Sequence, residues 1–292
     1  VKAKKLGGGE IKNGGKYWEM FGIPIFGGGM VGVLEKAAKW LEEKEGKHWI
    51  ATVNPEFLMA AEREEKFKKM LQEKTFNVPD GVGLVWAKLT LCPNFQFSIF
   101  NFQLKTLSRW WQGVKVGGEI LAGKHRGELV PGVELMREMI QISNFKIQNL
   151  RVFLLGGWGD RAEKTARNFV KVRANHDSPI QKFEIGWNQG EPAESNSVVI
   201  KKINDFKAEI LFVAYGMKRQ EEWIAANLGK LKTVKIVMGV GRSFDYYSGD
   251  LPRAPEWLRK MGLEWLYSLY REPKRWRRQL ELPKFVWKII NG

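Results

Sequence analysis

Cysteine is nearly missing from this chain. Cys92 stands alone among 292 residues, so no disulfide can close within the chain and a reducing compartment is the simplest setting. Histidine is almost as scarce. His48, His125 and His176 share no metal-ligand spacing and no DxD-like acidic pair occurs, so no metal is expected. No stretch reaches the roughly eighteen apolar residues that a spanning helix needs, and no internal period marks a solenoid. The opening "VKAKKLGGGEIKNGGKYW" has neither an initiator Met nor the apolar centre of a signal peptide. It reads as a flexible basic leader over 1–16. Contact with a membrane is therefore expected to be peripheral.

Acid is also short. Lys and Arg number 48 against 32 Asp and Glu, a net charge of +16. Such a balance favours anionic partners: nucleic acid, acidic lipid or phosphorylated substrates. Residues 251–292 hold ten Lys and Arg against four Glu, so the tail is a basic object in itself.

A chain of this length suits one large domain with an appendage, or two domains. "GVLEKAAKWLEEKEGK" (32–47) has helical spacing and "HWIATVN" (48–54) is strand-like. Asn54 and Pro55 then open a helix, as cap and first position, with apolar residues at 57, 58, 61, 67, 70 and 71 assigned to one stripe. "VPDGVGLVWAKL" is a turn and a short apolar helix. From 90 to 128 regular order is lost, and an inserted surface flap is expected. Order returns in "RVFLLGGWGDRAEKTARNFVKVR", "AEILFVAYGMKRQEEWIAANL" and "VKIVMGVGRSFDYYSG", each a buried strand followed by a turn. Strands alternating with helices predict an α/β fold, a Rossmann-like parallel sheet with helices on both faces. The expected plan is an α/β domain over 17–250 and a helical appendage over 251–292.

In such a sheet, ligands sit beyond the carboxyl ends of the strands. Three ends deliver polar groups there: Thr52 with Asn54, the turn "GGWGD" with Gly156 and Gly157, and "YGMKRQEEW" with Lys218, Arg219 and Gln220. Backbone N–H groups at a helix start can hold phosphate. Each has a plain alternative: a helix cap for Asn54, a tight turn for "GGWG", a solvated residue for Gln220. Asp80 in "PDG" is turn chemistry or a general base. Cys92 reads as incidental.

Several segments carry more. "TVNPEFLMAAERE", "PDGVGLVWA", "VPGVELM", "YGMKRQEEWI" and "GVGRSFDYYSGDLPRAPEWLRKMGLEWLYSLYREPKRWRRQ" resemble, in order, the WecG/TagA/CpsF glycosyltransferases. The resemblance spans roughly 48–88 and 128–285. It implies inverting, metal-independent transfer of a sugar, N-acetylmannosamine or a related hexosamine or uronic acid. The donor would be a UDP-sugar and the acceptor GlcNAc on undecaprenyl diphosphate, in cell-surface polysaccharide or teichoic acid synthesis. By motif it makes Asp80 the base, with Thr52 and Asn54 beside it and Gln220 at the donor. It also makes the tail a membrane-associating appendage whose Arg275 and Arg278, with Arg253 before them, meet the donor diphosphate. Three positions, in two motifs, depart from the family pattern. "ELVPGVEL" has Leu129 where the motif has Arg and Glu134 where it has Asp, and Ser268 replaces an Arg after "EWLY". Arg126 and Arg271 are near enough in sequence to substitute.

Two rivals remain. A nucleic-acid binder would explain the charge, but Trp257, Leu258, Met261, Trp265, Leu266 and Leu269 recur at helical spacing, as a docking face does; no nucleic-acid partner is expected. A catalytically impaired membrane scaffold of the same fold would explain Leu129 and Ser268. Partners are therefore expected to be the UDP-sugar, the lipid-linked acceptor and an anionic membrane surface. The oligomeric state stays open, a homo-oligomer included.

Overall fold

Residues 11–12, 17–91, 102–141, 150–174, 183–190 and 193–292 are described by a computed structural model. The first elements are β1 (Ile11–Lys12), β2 (Tyr17–Met20) and β3 (Ile23–Phe26), an antiparallel sheet in that order. Phe21 and Gly22 turn the chain between β2 and β3 with φ of 53° and 80°. Two positive-φ residues in succession give a turn whose twist matches paired strands. α1 (Gly29–Glu42) and β4 (His48–Val53) follow.

Asn54 caps α2 (Pro55–Arg63), its Oδ1 accepting from the Phe57 N–H at 3.1 Å. The single helix expected here is two, because the chain becomes extended at Glu64 (φ −132°, ψ 100°) before α3 (Glu65–Glu73). At about 100° per residue, an unbroken helix would aim Phe67, Met70 and Leu71 roughly 140° away from Phe57, Leu58 and Ala61. The break lets both sets be buried, and the Phe57 and Phe67 rings meet at 5.7 Å.

β5 (Phe76–Pro79) and α4 (Val82–Leu91) come next. Cys92 and "PNFQFSIFN" lie outside the described residues. The expectation of lost order over 90–128 is corrected beyond them, where α5 (Phe102–Leu121) is a helix of 20 residues. Gly113, Val116 and Ile120 form its buried face. Apolar residues on the opposite face erase the polar–apolar alternation that would have announced it.

A 3₁₀ turn at Arg126–Glu128 precedes α6 (Gly132–Gln141). The alternating region is β6 (Leu150–Gly156), α7 (Arg161–Ala174), β7 (Phe183–Asn188), α8 (Asn196–Asp205), β8 (Ile210–Ala214), α9 (Arg219–Asn227) and β9 (Ile236–Gly239). α10 (Ser243–Tyr247) follows β9, and the tail contributes α11 (Glu256–Lys260), α12 (Glu264–Arg271), α13 (Trp276–Gln279) and α14 (Glu281–Asn291).

The expected α/β architecture is present as a six-stranded sheet in the order β5-β4-β9-β8-β6-β7. The ladders β4–β9, β9–β8, β8–β6 and β6–β7 are parallel. Every residue of β8 and β9 is buried, as befits strands covered on both faces.

By packing, the chain divides into two compact units: Val1–Met30 with Val53–Pro131 and Ala254–Gly292, and Val31–Thr52 with Gly132–Arg253. In the first unit α14 packs on α2, α4 and α5. Its Phe285 and Ile289 are fully enclosed. Ion pairs reinforce it: Arg63 Nη1 to Glu281 Oε2 at 2.6 Å, and Lys288 to Glu62. Burial works against ionisation of Glu62, yet the hydrogen bonds from Lys288 and Lys68 hold its carboxyl below the usual range. Among the described residues no helix is long and apolar enough to cross a membrane.

Candidate functional site

In the first unit, Asp80 and Asn54 follow directly on neighbouring strand ends. The Asp80 N–H donates to Val53 O at 2.7 Å, and Gly81, at φ 85°, turns the chain into α4. Only a residue at ease with positive φ makes this turn without strain. Asp80 is half-buried. Asn54 Oδ1 is spent on the α2 cap, which realises the plain alternative and leaves Nδ2 for any ligand. The Val130 N–H donates to Pro79 O at 2.9 Å and draws the 126–130 segment to the end of β5. A small cationic pocket lies there, lined by Lys124, Arg126, Leu129, Arg259 and Lys260 beside Val82. Leu129, at the position of the motif's Arg, thus shares a pocket with Arg126.

The tail's arginines are partly engaged. Arg278 holds Glu56 in bidentate fashion, Nε to Oε1 at 2.8 Å and Nη2 to Oε2 at 3.0 Å. Arg275 lies in a 3₁₀ turn, and its side chain is outside the described residues. Arg271 is exposed and Ser268 half-buried. Of the expected docking face, Trp257, Trp265 and Leu266 are 60, 38 and 46 % exposed. Leu258, Met261 and Leu269 are half-buried, and farther along the tail Phe285 and Ile289 are enclosed.

The second unit holds a cleft of about 150 Å³ lined by Gly157, Trp158, Gly159, Gln189, Gly190, Ala193, Ala214, Tyr215 and Arg219. Topology puts it there. From β6 the chain moves outward to β7, whereas from β8 it moves the other way to β9. Adjacent strands whose connections leave in opposite directions open a crevice between their carboxyl ends, where ligands of such sheets bind. Gly156, Gly157 and Gly159 have φ of 96°, 82° and 61°, so the turn into α7 depends on glycine. The Gly157 N–H donates to Ala214 O at 3.0 Å, and the N–H groups of Trp158 and Gly159 come next at the head of the helix. Trp158 is 79 % exposed, a tryptophan held in water at a cleft. Gly190, at φ 70°, lies so close to Tyr215 that a Cβ would strike its hydroxyl. Its N–H donates to Asn188 Oδ1 at 2.7 Å.

Gln220 is 2 % exposed. Its Oε1 accepts from the Gly241 N–H at 3.0 Å and its Nε2 donates to Glu221 Oε1 at 2.8 Å. Glu221 also accepts from the Lys218 N–H at 2.7 Å. Burial pushes the Glu221 carboxyl up to about 7, against the pull of these hydrogen bonds. The trio pins the start of α9 to the glycine turn after β9.

That turn is fixed from the other side. Asp245 takes Arg161 Nη1 at 2.6 Å and Arg242 Nε at 2.9 Å, while Asp250 takes Arg161 Nε at 3.0 Å. Arg253 Nη2 pairs with Glu134 Oε1 at 2.8 Å, so the Glu in the Asp position is this arginine's partner. Tyr247 donates to Val133 O at 2.8 Å, and burial pushes its hydroxyl up to about 12. Thr52 is buried under Gly132, whose Cβ, were it present, would meet Thr52 Cγ2 at 3.1 Å. Among the described residues no three His, Cys, Asp or Glu side chains are grouped to hold a metal ion.

Of the residues singled out in the sequence, Gly157 and Arg219 line the cleft, and Gln220 does not. The sequence reading missed Trp158 as a lining residue, and Gln189, Gly190 and Tyr215 altogether. Only the Asn-Gln-Gly turn at 188–190 offered a signal.

A model of the Glycosyl transferase WecG/TagA/CpsF family matches residues 18–103 and 112–292. The chain is 27 % identical over 271 residues to an N-acetylglucosaminyldiphosphoundecaprenol N-acetyl-beta-D-mannosaminyltransferase of Bacillus subtilis (strain 168), covering 92 % of this chain and 89 % of that protein. A protein of the same name in Staphylococcus aureus (strain MRSA252) is 29 % identical over 244 residues, 84 % of this chain and 80 % of the relative.

Proposed function

The chain belongs to the WecG/TagA/CpsF family of glycosyltransferases, and from that we propose that it moves N-acetylmannosamine from a UDP-sugar to GlcNAc carried on undecaprenyl diphosphate. Sugar and acceptor follow the names of the relatives. The observation that carries the donor side is the cleft at the β6–β8 switch point. Its glycine turn heads a helix, where backbone N–H groups and the helix dipole favour phosphate oxygens. Trp158 and Tyr215 supply faces for a nucleobase, and Arg219 supplies a cation.

Asp80 is the base. It takes the proton of the acceptor hydroxyl as that oxygen bonds to the anomeric carbon. The bond from that carbon to the phosphate oxygen breaks, and UDP leaves with the electron pair. Attack opposite the leaving group inverts the configuration. Negative charge grows on the departing diphosphate, and guanidinium groups, which bind phosphate in bidentate fashion, offset it without a metal. Arg253, Arg275 and Arg278 are the candidates, with Arg126 in the pocket of Leu129. Thr52 and the Asn54 Nδ2 orient the sugar, and Gln220 shapes the donor side by holding Gly241. The reaction takes place at the cytoplasmic membrane face.

The test is a screen of UDP-sugars against a short-chain GlcNAc-diphosphate-lipid, with and without EDTA. UDP release with UDP-N-acetylmannosamine, unchanged by EDTA, and a β-linked product are expected. Release with no donor would leave the impaired-scaffold reading that Leu129 and Ser268 motivate. Release abolished by EDTA would refute metal independence.

A further inference from the structure

Helix α5 is apolar on two faces. Opposite its buried Gly113, Val116 and Ile120, it sets Leu107, Trp110, Trp111, Val114 and Leu121 in solvent, each 47 to 63 % exposed. Steps of three, four and seven residues put them in one stripe. A surface helix ordinarily turns its polar side outward, and a contiguous exposed apolar stripe marks an interaction face. The Trp110 and Trp111 rings stand edge to face at 5.5 Å. Residues 102–124 carry Lys105, Arg109, Lys115 and Lys124 against one acid, Glu119. Tryptophan with lysine and arginine suits the boundary between lipid and water. α14 packs against α5 and presents Trp287, 71 % exposed. Residues 104–111, with Leu107, Arg109 and both tryptophans, fall outside the family match.

We propose that α5 is a membrane-docking helix in its own right, laying the Leu107–Trp110–Trp111–Val114 stripe into an anionic bilayer surface while Lys115 at its edge meets the head groups. The proposal rests on the reading that the acceptor is lipid-borne. The net positive charge of the segment, with exposed Lys115 at the edge of the stripe, selects anionic lipid over an apolar protein partner.

The test uses the full chain and Trp110→Gln/Trp111→Gln, two exposed positions whose change leaves the buried face intact. Both proteins are sedimented with vesicles of equimolar phosphatidylglycerol and phosphatidylcholine, and with phosphatidylcholine alone. Turnover is read on a short-chain acceptor in solution and on the long-chain acceptor in the vesicles. Removing two large apolar side chains from an interface should weaken partitioning by at least about tenfold. The expected result is preference of the wild type for the anionic vesicles, a drop of that size in the variant, and matching loss of turnover on vesicles alone. Equal binding by both proteins would overturn the proposal. So would a wild-type dimer that the variant converts to monomer, since the stripe would then be covered by a second copy. Absent turnover of the wild type on the short-chain acceptor would count against the proposed reaction, while the sedimentation arm would still judge α5.

Discussion

Glu221→Gln tests the knot that pins the start of α9 to the glycine turn after β9. The carboxyl is 1 % exposed, and burial raises it from 4.5 to about 7. Between those values the folded chain keeps a proton that the unfolded chain has released. Stability from this group is therefore full below about pH 4.5 and is lost as pH rises through about 7. At about 1.4 kcal/mol per unit, the loss is on the order of 3 kcal/mol. Glutamine cannot titrate, so the variant lacks this slope. It also cannot reproduce the hydrogen bonds. Glu221 accepts from both Gln220 Nε2 and the Lys218 N–H, whereas a glutamine offers one oxygen and one NH₂. One donor must face another, at a cost of about 1–3 kcal/mol at every pH. Urea unfolding of both proteins between pH 5 and 8 separates the two effects. The wild type should lead at pH 5, and its lead should shrink by about 3 kcal/mol by pH 8. Other carboxylates, such as Glu62, titrate alike in both chains and cancel in the difference. Parallel pH profiles for wild type and variant would refute the reasoning.

Asp80→Asn should cut turnover by about a hundredfold to ten-thousandfold and leave UDP affinity nearly unchanged, as single-turnover kinetics and calorimetry would show; equal turnover removes Asp80 as base. Arg278 and Glu56 form an exposed pair worth at most about 1 kcal/mol, so a diphosphate can draw the arginine away. Arg278→Ala should then lower turnover at least about tenfold while Glu56→Gln does not, and equal effects of the two would make the pair a clamp only. Arg126→Ala should cost roughly a hundredfold in turnover, as loss of one charge-stabilising group does, and adding Leu129→Arg should restore part of it; unchanged turnover in Arg126→Ala would refute that role.

The central strands were legible because β8 and β9 are buried along their whole length, so each appears as an unbroken apolar run before a glycine turn. The β2–β3 hairpin was not. Its turn is Phe21-Gly22, and phenylalanine conceals a site where Asn-Gly would have been plain. α5 stayed hidden because its apolar residues point both ways. At the cleft between β6 and β8, the glycine turn of Gly156 and Gly157 was visible as a motif, but Tyr215 matters through its approach to Gly190, a contact no local pattern encodes. The same holds for Arg161 and Asp245, 84 residues apart.

Charge was the least legible property, because a count of arginines does not say which are already paired. Arg253 faces Glu134 and Arg278 faces Glu56, so two of the cations proposed for the diphosphate are held by carboxylates. Arg126 differs in where its backbone puts it. It opens a 3₁₀ turn, and the Leu129 N–H donates to Arg126 O at 3.1 Å. With three residues per turn, positions i and i+3 eclipse, so Arg126 stands over the position where the motif has its arginine. Both residues line one pocket with Arg259 and Lys260. A guanidinium at 126 can serve the pocket where Leu129 supplies none, which is why the double variant with Leu129→Arg should recover part of the turnover that Arg126→Ala loses. If the 3₁₀ register did not matter, an arginine at 129 would restore nothing.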